Sequence, residues 1–224
     1  YAITNGALRF ASELKGLFAD PAFPRSIEPS ALDSYLAYGY VAGSNCIIKG
    51  VNKLQPAHAL IFDLADGAHR IWQYWQLPSS RPMSNINETQ LVDELEALLE
   101  DSVRRQMVAD VPVGVLLSGG VDSSLVTAFA VRHSSKVRTF TVTFKGNTAY
   151  DESGYAQQIA EHFGTTHTEL SAGDEGPELL DMLARQYDEP IIDSSMIPTY
   201  MVSRLVKQHC TVALGGDGGD ELFG

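Results

Sequence analysis

The sequence predicts an α/β protein, a doubly wound and mostly parallel sheet with helices on both faces, preceded by a smaller α+β region. Three observations predict it. From residue 88 onward, short apolar runs alternate with helical patterns, as repeated βα units require. Two of those runs end in glycine-rich turns, Ser118-Gly119-Gly120 and Gly215-Gly216. Before residue 78 the punctuation is different: Asn5-Gly6 and Asp66-Gly67 each divide two strand-like stretches, the signature of antiparallel hairpins.

The elements follow in order. Residues 1–4 and 7–10 form the first hairpin, with a type I′ turn at Asn5-Gly6. Ser12 is placed to cap a short helix through residue 18, and Pro29 suits the first turn of a second helix ending near residue 38. The second hairpin pairs 59–62 with 70–75, and Tyr74 and Trp75 are expected to pack in its core. Residues 78–87, rich in Pro, Ser and Asn, read as a linker. Beyond it, Leu91, Leu95, Leu98, Leu99, Val103 and Met107 recur at spacings of three and four, one apolar helix face. Strands are then expected at 113–117, 137–144, 166–170 and 211–214. Helices are expected after the Ser-Gly-Gly turn and at 151–163, 177–187 and 198–209. The division is therefore 1–77, a linker at 78–87, and 88–224.

Composition narrows the classes of function. A net charge of −12 argues against nucleic acid or an anionic membrane as partner. No apolar stretch approaches the roughly 20 residues needed to span a bilayer. No signal peptide is evident, so the cytoplasm is the expected location. The two cysteines, Cys46 and Cys210, are expected to be buried free thiols. The histidines at 58, 69, 133, 162, 167 and 209 show no metal-ligand spacing. Tyr1 and Gly224 both fall inside motifs, which leads us to expect a piece of a longer protein.

The chemistry concentrates in Ser118-Gly119-Gly120-Val121-Asp122-Ser123-Ser124, between the apolar run 111–117 and a helix. Glycines let the backbone approach a ligand and adopt positive φ, and the first helical turn offers unpaired N–H groups. Asp122 makes sense beside polyphosphate if Mg²⁺ lies between them. Taken alone, the stretch is also ordinary strand-to-helix punctuation with an Asp or Ser cap. It is neither a Walker sequence nor a dinucleotide fingerprint. A second glycine-rich stretch, Gly215 to Gly219, follows another predicted strand. Ligands of such sheets bind beyond the carboxyl ends of the strands, so both stretches fall on the edge where a nucleotide belongs.

The Ser118–Ser124 stretch resembles the pyrophosphate loop of the N-type ATP pyrophosphatases. Leu214-Gly215-Gly216-Asp217-Gly218-Gly219-Asp220-Glu221-Leu222-Phe223-Gly224 is a second match. A third comprises Asp188-Glu189-Pro190 and Ile197-Pro198-Thr199-Tyr200 through Ser203-Arg204. Leu8-Arg9-Phe10-Ala11-Ser12-Glu13-Leu14-Lys15 looks like part of a class II glutamine amidotransferase. Together they resemble the glutamine-hydrolysing asparagine synthetase family over almost all of the chain.

That resemblance implies a fold and a chemistry. Residues 1–77 would be the C-terminal part of an N-terminal-nucleophile glutaminase, and 88–224 an ATP-pyrophosphatase domain truncated at its C-terminus. Aspartate and ATP would give β-aspartyl-AMP and pyrophosphate, and ammonia from glutamine would complete asparagine. Ser118, Gly119, Gly120, Ser123 and Ser124 would hold the pyrophosphate, and Asp122 and Asp220 the Mg²⁺. Leu116 and Val142 would present backbone groups to the adenine near Gly216. Asp217 would act near the acyl-adenylate. It is a shorter acid than the Glu of some members. Gly215 stands where many members carry Ser, which bears on catalytic competence more than on ATP binding.

Asp188-Glu189-Pro190 with Asp193-Ser194-Ser195 reads either as a loop lining the substrate pocket or as a surface turn. Two other functions stay open. One is a relative that adenylates a different carboxylate, of the β-lactam synthetase or lasso-peptide cyclase type. The other is a nucleotide-binding module that has lost its chemistry. Neither Cys46 nor Cys210 is terminal, so neither suits the glutaminase nucleophile. The sequence leaves oligomeric state open, a homodimer included.

Overall fold

A computed structural model describes residues 1–79, 87–144, 151–173, 176 and 178–223. It divides into two compact units, Tyr1–Pro82 with Gly176–Met196, and Met83–Glu175 with Ile197–Gly224. Most of the expected linker, residues 80–86, lies outside the described residues, as do Pro177 and Gly224.

In the first unit, β1 (Ala2–Thr4) and β2 (Ala7–Arg9) pair antiparallel, Ala2 opposite Arg9. Asn5 and Gly6 take φ of 52° and 71°, both positive as a type I′ turn demands. Helix α1 (Leu14–Leu17) begins after Glu13 without a side-chain cap, so Ser12 does not serve as its cap. Helix α2 (Pro29–Tyr38) has Pro29 in its first turn and stops at Gly39, left-handed at φ 80°. Strands β3 (His58–Phe62) and β4 (His69–Gln73) form the second hairpin. Strand β4 ends before Tyr74 and Trp75, which are 68% and 55% exposed instead of packed in a core. The actual core gathers Ala2, Leu17, Phe23, Ala31, Val41 and Ile47. Helix α6 (Glu178–Gln186) also belongs to this unit and buries Leu179 and Leu183, one turn apart.

The second unit is a four-stranded parallel sheet. Its strands are β5 (Val113–Leu116), β6 (Arg138–Phe144), β7 (Thr166–Ala172) and β8 (Val212–Leu214), in the order β7-β6-β5-β8. Helix α3 (Glu88–Gln106) starts at Asn87, whose side chain accepts a hydrogen bond from the Gln90 N–H. Only part of its expected apolar face is covered: Val103 is buried, while Leu98 is 63% exposed. Helix α4 (Val121–His133) follows β5, α5 (Ser153–Phe163) follows β6, and α7 (Met196–Val206) precedes β8. A short α8 (Gly219–Phe223) follows β8.

Both faces of this sheet are covered. Successive strand residues point to opposite sides. Val115 packs with Val103, Phe129 and Ala130 of α3 and α4, and its neighbour Leu116 packs with Phe140, Val202 and Val206 on the α7 side. Cys46 and Cys210 are buried free thiols, one in each unit. No described helix is long and apolar enough to cross a membrane.

Candidate nucleotide site

The strand order places the site. From β5 the chain winds outward through β6 to β7, and then returns to lay β8 against the other side of β5. The winding direction therefore reverses between β5 and β8, and the loops leaving their carboxyl ends diverge there, which opens a crevice. The two glycine-rich stretches are those two loops. A cavity of about 930 Å³ lies at this edge.

The loop after β5 is built by its own hydroxyls. The Ser118 N–H donates to Ser123 Oγ at 3.3 Å, and the two hydroxyl oxygens are 3.0 Å apart. Ser123 Oγ also donates to the Gly120 carbonyl at 3.2 Å, and Ser124 Oγ to the same carbonyl at 2.7 Å. Ser123 is buried. These hydroxyls close the turn, which leaves the helix N-terminal N–H groups to face a ligand. Gly119 has φ of 87°, and a Cβ there would lie 2.8 Å from the Ala156 nitrogen in the first turn of α5. The loop is thus held from below by another helix.

The cavity has two kinds of lining. Leu116, Phe140, Val142 and Val202 supply apolar surface, and Ser118, Gly120, Asp122 and Ser123 with Gly215, Gly216, Asp217 and Asp220 supply polar surface. Of the residues predicted from sequence, Gly119 and Ser124 do not line the cavity; they support the loop that does. Sequence reasoning missed Thr141, Glu152, Val202 and Glu221. Thr141 is buried and donates its hydroxyl to the Leu117 carbonyl, joining β6 to the start of the loop. Nothing local in the sequence distinguishes it from any strand threonine.

Among the described residues the lining carries Asp122, Glu152, Asp217, Asp220 and Glu221, and no Lys, Arg or His. Five carboxylates would repel a polyphosphate unless cations accompanied it. The described residues contain no group of three or more His, Cys, Asp or Glu able to hold a metal alone. Mg²⁺ suits such a donor set, because it commonly takes one or two carboxylates and completes its shell with phosphate and water. The lining supplies carboxylates of that kind, Asp122 and Asp220 among them.

Asp188-Glu189-Pro190 does not reach this cavity. It lines a different one of about 820 Å³ in the first unit, together with Leu14, Cys46 and Lys53. Burial pushes the Cys46 thiol up from its ordinary pKa, the opposite of what a thiolate nucleophile needs. Asp193 accepts a hydrogen bond from the Ser195 N–H at 2.8 Å. Its carboxyl is held below the usual range by the Ser195 hydroxyl and N–H.

Comparison with known proteins gives two family matches. The asparagine synthase family model matches residues 94–224, and the glutamine amidotransferase domain model matches 1–75. A Methanocaldococcus jannaschii protein provisionally named glutamine-hydrolysing asparagine synthetase 2 is 39% identical over 220 residues. That alignment covers 96% of this chain and 42% of the relative. Glutamine-hydrolysing asparagine synthetase 3 of Bacillus subtilis is 31% identical over 246 residues, covering 100% of this chain and 38% of the relative. Glutamine-hydrolysing asparagine synthetase B of Escherichia coli is 34% identical over 151 residues, covering 59% of this chain and 26% of the relative. The chain thus spans less than half the length of these curated relatives.

Proposed function

This chain belongs to the asparagine synthase family, and from that premise we propose that it supplies the ATP site of a glutamine-hydrolysing asparagine synthetase. In this reading the enzyme activates aspartate with ATP to β-aspartyl-AMP and pyrophosphate. Ammonia released from glutamine then displaces AMP to give asparagine. Residues 1–77 are the amidotransferase part, 78–87 the linker and 88–224 the synthetase part. The substrates are small molecules, and the cytoplasm is the proposed location.

The observation that carries this reading is the convergence of two glycine-rich loops on one cavity at the point where the sheet reverses its winding. Pyrophosphate is the leaving group and gathers several negative charges, so its stabilisation is the main catalytic task. The first-turn N–H groups of α4 receive it, on a loop that Ser118 to Gly120 hold in shape. Asp122 and Asp220 would hold Mg²⁺, which neutralises phosphate charge. The apolar lining takes the adenine, with backbone groups of Leu116 and Val142 as its polar contacts. Asp217, on the loop after β8 and in the cavity lining, would act near the acyl group as the carboxylate that positions or deprotonates ammonia.

The test is calorimetric titration of the chain with ATP, with and without Mg²⁺, beside Asp122→Asn. This substitution is nearly isosteric and removes one metal-binding charge. Wild type should bind ATP in a metal-dependent way, and Asp122→Asn should lose most of that dependence with its fold intact. Equal affinity in all four titrations would defeat the metal-bridged ATP site.

A further inference from the structure

Two stretches that stand outside the nucleotide cavity, Glu13-Leu14-Lys15 and Asp188-Glu189-Pro190, meet in the first unit. Asp188 accepts a hydrogen bond from the Lys15 backbone N–H at 3.1 Å and pairs with the Lys15 ammonium at 3.6 Å. Lys15 Nζ also donates to the Gln186 carbonyl at 2.9 Å and pairs with Glu13 at 2.7 Å. Glu189 accepts from the Ile47 N–H at 2.6 Å and forms an ion pair with Lys53. Lys53 Nζ in turn donates to the Val41 carbonyl at 2.8 Å. The Ile192 N–H completes the set by donating to the Gly39 carbonyl at 2.8 Å.

This is more than a pair of surface salt bridges, which by themselves contribute little. The Asp188 and Glu189 side chains are 15% and 19% exposed. Each carboxylate binds a backbone N–H as well as an ammonium, and charge-assisted bonds of that kind fix geometry. The segment 186–192 lies in the range matched by the synthase model, while its partners Lys15, Gly39, Ile47 and Lys53 lie in the range matched by the amidotransferase model. A few residues later the same chain becomes α7, whose Val202 and Val206 pack with Phe140 of the parallel sheet. One short stretch of chain is therefore fastened by charge at one end and leads into apolar burial at the other.

We propose that Asp188 and Glu189 are positioning residues that couple the release of ammonia to its use, by tying the synthase-matching chain to the amidotransferase-matching unit through Lys15 and Lys53. This rests on the function proposed above. Ammonia that escapes into water is protonated and lost as a nucleophile. A fastening on the stretch of chain that leads from one matched range into the other is therefore a place where coupling can fail while each chemistry survives. Neither acid lines the nucleotide cavity, so their loss should leave the synthetase reaction itself in place.

The test uses the full-length protein that carries this chain, with Glu189→Gln, Lys53→Met, Lys53→Arg and the swapped pair Lys53→Glu with Glu189→Lys. Glutamate release, pyrophosphate and asparagine are followed with glutamine, and then with ammonium as the nitrogen source. In Glu189→Gln and Lys53→Met, ammonium-dependent synthesis should stay within about twofold of wild type. Asparagine formed per glutamate released should fall by about tenfold or more, the range expected for losing one charge-assisted hydrogen bond. Lys53→Arg should restore the ratio, whereas the swapped pair should not, because it sets an ammonium against the Ile47 N–H and a carboxylate against the Val41 carbonyl. A ratio unchanged in every variant, or lost together with ammonium-dependent synthesis, overturns the coupling role. Wild type that makes asparagine from neither source overturns the proposed function, and the coupling role with it.

Discussion

Gly216 rests directly on Asp122: a Cβ built on Gly216 would lie 2.7 Å from the Asp122 Cβ and 2.8 Å from the Ser123 nitrogen. Distances this short are possible only because Gly216 has no side chain. The loop after β8 therefore packs against the first turn of α4, and the two glycine-rich motifs form one wall of the nucleotide cavity. The obstructing atoms include backbone, which cannot move without shifting the helix start.

Gly216→Ala should therefore damage the site more than its small size suggests. Overpacking of this kind costs about 1–3 kcal/mol, and here it falls on the groups that face the phosphates. ATP affinity should drop by roughly tenfold or more, with a smaller loss of thermal stability. Titration calorimetry alongside a melting curve separates the two. Unchanged affinity would mean that the loops are not packed as described.

Gly215 should behave differently. It is not among the glycines with positive φ, and the nearest atom to an added Cβ is the Asp217 carboxylate oxygen at 2.9 Å. That side chain is exposed and can rotate away. Gly215→Ser should fold normally and, in the full-length enzyme, preserve or raise turnover. A hydrogen bond from the new hydroxyl to a charged group would contribute about 1.5–3 kcal/mol if made in the transition state. Far-ultraviolet circular dichroism and pyrophosphate release test the two halves of this prediction. An unfolded variant would show that residue 215 needs glycine for a reason other than backbone conformation.

How much of this was legible in the sequence depended on whether the cause was local. Asn5-Gly6 announced its hairpin because both residues tolerate the positive φ that the turn requires. Ser118 to Ser124 announced a loop because glycine and hydroxyl residues at a strand end have few other uses. The apolar run and helix on either side of it followed from periodicity. Residues whose partners are distant were not legible. Glu189 reads like any acid before a proline, and only folding brings it to Ile47 and Lys53. Tyr74 and Trp75 look like core aromatics, but the strand ends before them. The Ser123 hydroxyl, expected to face phosphate, is used within the loop.

Acid should loosen the attachment of α3 to α4. Arg132 Nη1 donates to Glu96 at 2.7 Å and to Glu100 at 2.8 Å, and His133 Nε2 lies 2.9 Å from Glu100. The hydrogen bond from Arg132 is the main cause holding the Glu100 carboxyl below its ordinary pKa. A carboxylate depressed in the folded state stabilises it above the unfolded pKa, and that contribution is lost as pH falls through the folded value. The loss should therefore begin near pH 4.5, roughly the ordinary glutamate value, and continue below it. The group is partly exposed, so the effect should be modest. Urea midpoints measured from pH 7 to pH 3.5 should show wild type above Glu100→Gln at neutral pH, with the two converging in acid. Parallel curves would show that the pair contributes no stability.

The last prediction sets Gly119 against Gly120, neighbours in the same loop. Gly119 has φ of 87°, and a Cβ there would meet Tyr155 Cβ at 2.6 Å and the Ala156 nitrogen at 2.8 Å. Gly120 is the residue before α4, in extended conformation, and its nearest contact would be Ser118 Oγ at 3.4 Å. Gly119→Ala thus combines left-handed strain with a clash against the α5 backbone, and should destabilise the fold by about 2–4 kcal/mol. Gly120→Ala should cost roughly 1 kcal/mol or less, the difference between glycine and alanine at a helix cap. Chemical denaturation of both variants gives the comparison without any ligand. Equal losses would show that α5 does not hold the loop from below, and the preorganisation of the phosphate-facing N–H groups would then need another source.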